Sequence, residues 1–322
     1  MEQATVVGID IAKRKFDVAL LLGDKEKSGA FQNTPEGFAM FARWLERNGA
    51  GRVHACMEAT GVYGDDLAMY LHRAGHTVSV VNPAKVKGFG QSQLSRTKTD
   101  KADARLIARF CRIMHPEAWQ PPAPEEKRLQ ALVRRADELS GMLTQERNRL
   151  ETADDVVKPS IENVISLLEE RLKEVRRLIR EHIDQHPDLR GKRDLLESIP
   201  GVGPATSAMI LAEFGDVARF QDARRMAAFC GLTPRQRQSG SSVRGKTRLS
   251  KTGSSRIRKA LYMPALVAMR WNPVIAAFCE RLRGYGKCPM VIVGAAMRKL
   301  IHIVFGVLKS GRPFDPSIAM AA

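Results

Sequence analysis

The first third of the chain alternates short apolar blocks with amphipathic ones. "TVVGIDIA" and "KFDVALLL" read as adjacent strands and "SGAFQN" as a third. "PEGFAMFARWLERNG" reads as a helix opened by Thr34 and Pro35 and closed by Gly49. "RVHACMEA" then predicts a strand, "GDDLAMYLHRAG" a helix and "TVSVVN" a strand. Between Lys98 and Met114 a helical period places Ala102, Leu106, Ile107 and Phe110 on one side. That order predicts an α/β domain over residues 1–115.

The rhythm breaks at "HPEAWQPPAPEE", 115 to 126, where four prolines predict a linker. Beyond it Leu129, Leu132, Ala136, Leu139, Leu143, Glu146 and Leu150 are spaced alternately 3 and 4 apart. The spacing returns past Pro159 with Ile161, Ile165, Leu168, Leu172, Val175 and Ile179. Such seams describe a coiled-coil helical pair within one chain or a contact between chains, over a segment of linker and coiled coil at 116–187. Glu146 weakens the first seam. From 188 to 322 the pattern is mainly helical. It opens with "DLLESIPGVGPATSAMILAEFGD", a short helix, a Gly-x-Gly turn and a second helix, which resembles a helix-hairpin-helix. Gly201 and Gly203 allow a tight turn whose N–H groups meet a nucleic-acid phosphate at the start of the next helix.

Charge narrows the partner. The 322 residues carry 52 Lys and Arg against 35 Asp and Glu, a net +17, which favours a polyanion. With only 6% aromatic residues, base stacking is not expected to dominate binding. Cys56, Cys111, Cys230, Cys279 and Cys288 are scattered without metal-ligand spacing and read as core residues in a reducing cytosol. The N-terminus lacks a signal-peptide pattern, and a cytoplasmic location is expected, nucleoid-associated if the polyanion is DNA. "MVIVGAAMRKLIHIVFGVL", 290 to 308, approaches the length of a membrane span, but Arg298, Lys299 and His302 interrupt it, so a buried helix and no membrane partner are expected.

Two sets of residues carry candidate chemistry. Asp10 sits in an otherwise apolar strand, where an ionised carboxylate is costly without a cation. Glu58 ends another strand, and Asp100 and Asp103 are three apart, on one face of a helix. Four hard oxygen donors of this kind suit one or two Mg²⁺ ions in phosphoryl transfer, with Arg96, Lys98, Lys101 and Arg105 beside them for phosphate. The plainer alternatives are that Asp100 competes with Thr99 as a helix cap and that Asp103 pairs with Arg105 or Lys101 at the surface. "GID" on a first strand also begins actin-like kinases, yet the later Gly-rich phosphate loops of those chains are missing.

The second set is "TPRQRQSGSSVRGKTRLSKTG", 233 to 253, which holds six basic residues, four serines and no acid. A stretch of this composition predicts a solvated basic loop, with Arg235, Arg237, Ser241, Ser242, Arg244, Lys246, Arg248 and Lys251 as phosphate contacts. A serine nucleophile needs activation, and no histidine lies between His186 and His302. Either the serines only bind phosphate, or their activating groups come from elsewhere.

"GIDIAKRKFDVALL", "MEATGVYG", "VNPAKVKGFGQSQLSRTKTDKADARLIARF", "LLESIPGVGPATSAMILAEFGD", "AAFCGLTPRQRQSGSSVRGKTRLSKTGSSRIRKALYMPALVA" and "RKLIHIVFGVLKSGRPFD" closely resemble the DEDD-type insertion-sequence transposases, serine-using recombinases guided by a bridge RNA. The resemblance runs from residue 4 to 316. It implies a RuvC-like, ribonuclease H-type first domain with Asp10, Glu58, Asp100 and Asp103 as catalytic metal ligands. It implies a coiled coil that joins protomers and a transposase domain with Ser239, the first serine of SGSS, as nucleophile. That serine would form a covalent phosphoserine with DNA. The site would be composite between subunits of a tetramer built as a dimer of dimers. The metal site and basic side chains would stand in for the missing histidine. Donor and target DNA and a bridge RNA are the implied partners, with base pairing carrying specificity.

Overall fold

Strand β1 (Val6–Ile11), β2 (Lys15–Leu22) and β3 (Lys25–Gln32) form an antiparallel meander. Strands β4 (His54–Glu58) and β5 (Thr77–Val81) add in parallel on the other edge of β1, giving the order β3-β2-β1-β4-β5. The parallel steps need crossovers, supplied by α1 (Pro35–Arg47) and α2 (Asp65–Arg73). Thr34 Oγ1 accepts the Gly37 N–H at 3.2 Å and starts α1 at the expected place. The computed structural model describes residues 5–59, 61–93, 99–239 and 243–317, with backbone only for Val62, Arg237, Gln238, Ser239, Val243, Arg244 and Lys246.

The two-residue period of β1 sorts its side chains between faces. Val7 and Ile9 join Phe38, Phe41, Leu67 and Leu71 beneath α1 and α2. Val6, Gly8 and Asp10 point the other way, toward α4 (Asp100–Met114), whose Ile107 and Phe110 pack with Val6. A further helix, α3 (Pro83–Ser92), was not expected from the sequence. Its "PAKVKGFGQS" has two glycines and little apolar period. Its start signals are Asn82, which accepts the Ala84 N–H at 2.8 Å, and Pro83 in the first turn. Residues after α4 are tied back to the same unit: Ser79 Oγ donates to the Glu117 carbonyl at 2.7 Å, and Trp119 N–H to the Val78 carbonyl at 2.6 Å.

The chain divides into two compact units, Met1–Pro121 and Pro122–Ala322. The second opens with α5 (Pro124–Glu151) and α6 (Lys158–Gln185), which pack on one another along the expected seams. Leu139, Leu143 and Leu172 are buried between them, while Glu146 escapes the apolar seam by pairing with Arg149. Then follow α7 (Pro187–Glu197), α8 (Pro204–Phe214) and α9 (Ala223–Phe229). A two-stranded ladder of β6 (Pro234–Ser239) and β7 (Val243–Leu249) comes next. Helices α10 (Ser255–Trp271), α11 (Pro273–Gly284) and α12 (Pro289–Ser310) complete the unit. Helix α8 is buried around nearly its whole circumference, packs on α10, and shares one core with Leu261 and Ala265 of that helix and Leu300, Ile301 and Val304 of α12. Helix α12 is long and apolar enough to cross a membrane but is the core helix that its sequence predicts. Four of the five cysteines are buried as expected. Cys288 is exposed, because it is the cap residue ahead of α12 and not part of a packed face.

Candidate active site and nucleic-acid interface

Asp10 and Glu58 stand at the C-terminal ends of neighbouring parallel strands, one residue beyond the Ile9–Met57 pair. Helix α4 reaches them because Gly8 has no side chain: a Cβ there would fall 2.2 Å from the Ala104 carbonyl oxygen and from the Ala108 nitrogen. Small residues Ala19, Ala104 and Ala108 line the same contact. The first turn of α4, bearing Asp100 and Asp103, is thereby laid over the strand ends. Thr99, not Asp100, caps the helix, accepting the Ala102 N–H at 3.2 Å. Arg105 pairs with Glu26 and not with Asp103. The cap therefore goes to Thr99 and the Arg105 guanidinium to Glu26.

The electrostatics record the crowding. Burial first, then the charges of Asp103, Asp100 and Asp17, push the Asp10 carboxyl up to about 6 against the opposing pull of Lys15. Glu58 is also raised, by burial and then by Asp10 and Asp103. Lys15 holds Asp100 below the usual carboxylate range through a contact of 2.9 Å and bridges to Asp17 at 2.9 Å. Asp17 and Lys15 were missed at the sequence level. The signal was present: the tight turn between β1 and β2 sets Asp17 directly opposite Asp10.

Among the described residues no three His, Cys, Asp or Glu side chains are gathered closely enough to hold an ion, and Asp100 leans on Lys15. The donor set still fits a hard divalent cation. It consists of carboxylate oxygens alone, and the burial and, after it, the mutual repulsion that raise Asp10 and Glu58 are what such an ion would offset. Arg96 and Lys98 lie outside the described residues.

In the second unit Pro234–Ser239 and Val243–Leu249, within the stretch 233–253, pair as two antiparallel strands and are not the loop that their composition predicts. "PRQRQS" shows no apolar alternation to betray a strand, so the ladder rests on backbone pairing, with Ser239 opposite Val243. Side chains anchor its base. Arg258 Nη1 donates to the carbonyls of Cys230 and Gly253, each at 3.1 Å, and Arg298 to that of Leu232 at 3.4 Å. Gly253 is required there, since a Cβ would sit 2.4 Å from the Phe229 carbonyl oxygen. Arg235 and Arg248 are exposed and face each other across the strands. Like charges so placed repel unless an anion lies between them. Lys251 follows in a left-handed conformation with φ 55°. Ser239 is placed by its backbone at the end of β6, as are Arg237, Arg244 and Lys246 within the strands. Ser241 and Ser242 lie outside the described residues.

The Gly-x-Gly turn joins α7 to α8. Gly201, at φ 103°, is backed against α10, where a Cβ would lie 2.7 Å from that of Ala268. Its lack of a side chain serves helix packing first. Gly203 precedes α8 with open space around it. Ser207 is buried and donates to Glu197 Oε1 at 2.7 Å, fastening the two helices together.

A DEDD-type transposase profile, described as "Transposase", matches residues 7–158, and one described as "Transposase IS116/IS110/IS902 family" matches residues 193–280. The pilin gene-inverting proteins of Moraxella bovis and Moraxella lacunata are each 34% identical over 317 residues, covering 98% of both chains. The transposase for insertion sequence element IS1111A of Coxiella burnetii is 26% identical over 303 residues, covering 84% of this chain and 79% of its own. A solved structure, T. thermophilus RuvC in complex with Holliday junction substrate, matches 34% of this chain and 96% of its own at 19% identity. Its TM-score is 0.25, too low to support a structural argument. End-to-end similarity at 34% identity, with both profiles in order, establishes that the chain belongs to the IS116/IS110/IS902 family of DEDD transposases, enzymes of DNA recombination.

Proposed function

We propose that the protein exchanges DNA strands through Ser239, with Asp10, Glu58, Asp100 and Asp103 holding divalent metal, Mg²⁺ by its hard oxygen donors. The observation that carries the reading is the crowding of partly buried carboxylates at the ends of β1 and β4, which leaves Asp10 with a carboxyl raised to about 6. When bound, the metal supplies charge neutralisation at the attacking and leaving oxygens of a phosphodiester. Lys15 holds Asp100 until a metal or phosphate competes for it. The strand order, with a three-stranded meander continued in parallel by β4 and β5, supports a RuvC-like, ribonuclease H-type reading of the first unit.

The hairpin presents the serine. Its exposed Arg235 and Arg248 draw a DNA phosphate between them, and Arg237, Arg244, Lys246 and Lys251 add positive charge along the same two strands. Ser239 attacks phosphorus, the 3′ or 5′ oxygen of the strand leaves with a proton, and a phosphoserine keeps the bond energy for rejoining. Ser241 and Ser242 hydrogen-bond the same phosphate. The turn at Gly201 and Gly203 grips backbone as a helix-hairpin-helix. Donor and target DNA are the substrates, paired to a bridge RNA that carries specificity. The α5–α6 pair, as a coiled coil, joins protomers into a tetramer in which hairpin and acidic residues come from different subunits. Exposed Val156, Val164 and Leu167 near its tip support that contact. The gene-inverting names of the two Moraxella relatives fit the same chemistry within one DNA molecule.

Incubation of the protein with labelled donor and target DNA, guide RNA and Mg²⁺ is expected to give a covalent adduct that survives denaturation. Ser239→Ala is expected to abolish both adduct and recombinants. Recombinants formed by Ser239→Ala would falsify the serine mechanism. Cleavage without adduct, dependent on Asp10, would instead mark a metal-dependent junction endonuclease.

A further inference from the structure

The two long helices of the second unit enclose a groove of about 530 Å³ that the proposed chemistry does not use. Its floor is apolar, formed by the buried Leu143 and Leu172. Arg147, which pairs with Glu169 at 2.6 Å, also lines it. Along the rest of the α6 wall stand Lys173, Arg176 and Arg180.

Those three cations differ from their neighbours. Arg135, Arg171 and Arg177, on the same two helices, are each neutralised by a glutamate, at 3.2, 2.9 and 2.6 Å. Among the described residues Lys173, Arg176 and Arg180 have neither an ion pair nor a hydrogen bond. All three are exposed. Three like charges on one ridge repel, so the helix carries them at a cost that a polyanion would remove. Their positions, three and four residues apart, spread the charge over about 10 Å of helix. A small anion cannot span that row. One strand of a duplex carries a phosphate for about every 3.4 Å of duplex axis, so a row of about 10 Å matches the axial rise of about three phosphates. The leucine floor offers no hydrogen-bonding group to read a base edge.

We propose that this groove is a phosphodiester-backbone site, which holds a nucleic-acid strand along α6 without reading its sequence. By helical spacing the three cations lie on one flank of the buried Leu172–Ile179 stripe, and Val164 and Leu167 lie on the other. A protomer contact through those apolar residues therefore leaves the groove open. The inference rests on the chain having a nucleic-acid partner and is independent of how the strand is cut.

The test measures binding of the full chain to a labelled random-sequence DNA duplex and, separately, to a single-stranded RNA over a range of salt concentrations. In the triple variant Lys173→Gln, Arg176→Gln, Arg180→Gln, the slope of log K against log salt is expected to flatten by about 2.7 if the duplex is the ligand and by about 2 if a single strand is. The probe whose slope changes identifies the strand. The paired triple, Arg135→Gln, Arg171→Gln, Arg177→Gln, should change it much less. An unchanged slope on both probes, or equal flattening by the two triples, overturns the proposal. Circular dichroism verifies folding. Should the triple variant unfold, Arg176→Gln alone is expected to flatten the slope by about 0.7 to 0.9, and no change overturns the proposal equally. Loss of the Ser239 adduct plays no part in this readout, so the two readings fail separately.

Discussion

Asp10 occupies the last α4-facing position of β1, with Asp17 opposite it and Asp103 above. Its carboxyl, raised from 3.8 to about 6 chiefly by burial, has a definite linkage sign. A folded-state value above the unfolded one contributes stability that is complete below the unfolded value and is lost as pH rises through the folded one. In metal-free buffer at neutral pH the ionised Asp10 therefore burdens the fold. Asp10→Asn is expected to stabilise the metal-free protein there by about 1 kcal/mol, a figure reduced from the full linkage value because the group is only half-buried. Thermal melts with chelator should show the gain growing between pH about 4 and about 7, and added Mg²⁺ should raise the melting temperature of the wild type but not of the variant. A gain independent of pH would count against the crowding argument. This aspartate was legible in the sequence because its neighbours are apolar. Lys15 and Asp17 were passed over, because their place beside it follows from the register that the tight β1–β2 turn imposes and not from their immediate neighbours.

At the scale of elements, the acidic site depends on how closely α4 can approach the sheet. Gly8 sets that distance, and nothing chemical marks it as a site residue. Gly8→Ala is expected to destabilise the first unit by about 1 to 3 kcal/mol through overpacking against the α4 backbone, and to abolish DNA cleavage although no carboxylate is altered. Chemical denaturation of that variant beside Gly141→Ala checks this. Gly141 lies inside α5 with open space around it, so the control should hold or gain stability. A Gly8→Ala protein as stable and active as wild type rules out the packing argument. The hairpin of β6 and β7 shows the opposite limit of sequence reading. Its composition pointed to phosphate, but its strands have no apolar face, so periodicity gave no sign of the ladder that Arg258 and Arg298 fasten at its base.

At the scale of the molecule, the charge of +17 is distributed unevenly in function. Much of it on α5 and α6 is neutralised in pairs within or between the helices, while Arg235 and Arg248 of the two-stranded ladder and Lys173, Arg176 and Arg180 of the α6 groove have no ion pair among the described residues. The apolar residues near the hairpin tip of α5 and α6 bear on assembly. Val164→Asp with Leu167→Asp is expected to lower the oligomer mass measured by light scattering while leaving helix content intact. An unchanged mass excludes that face as the protomer contact. The long helices themselves were legible from their seams, because a buried stripe must repeat every three or four residues.

Periodicity and capping residues determined by themselves where the strands of the first unit and most helices lie, since local backbone geometry dictates which positions share a face. Composition pointed to a polyanionic partner. The sequence motifs also named Asp10, Glu58, Asp100 and Asp103. Only the tertiary structure decided that Gly8 lets α4 bring the last two beside the first, that the cap goes to Thr99 and the Arg105 guanidinium to Glu26, and which cations lack a counter-charge. Those outcomes depend on contacts between residues far apart in the chain, and a local pattern carries no record of them.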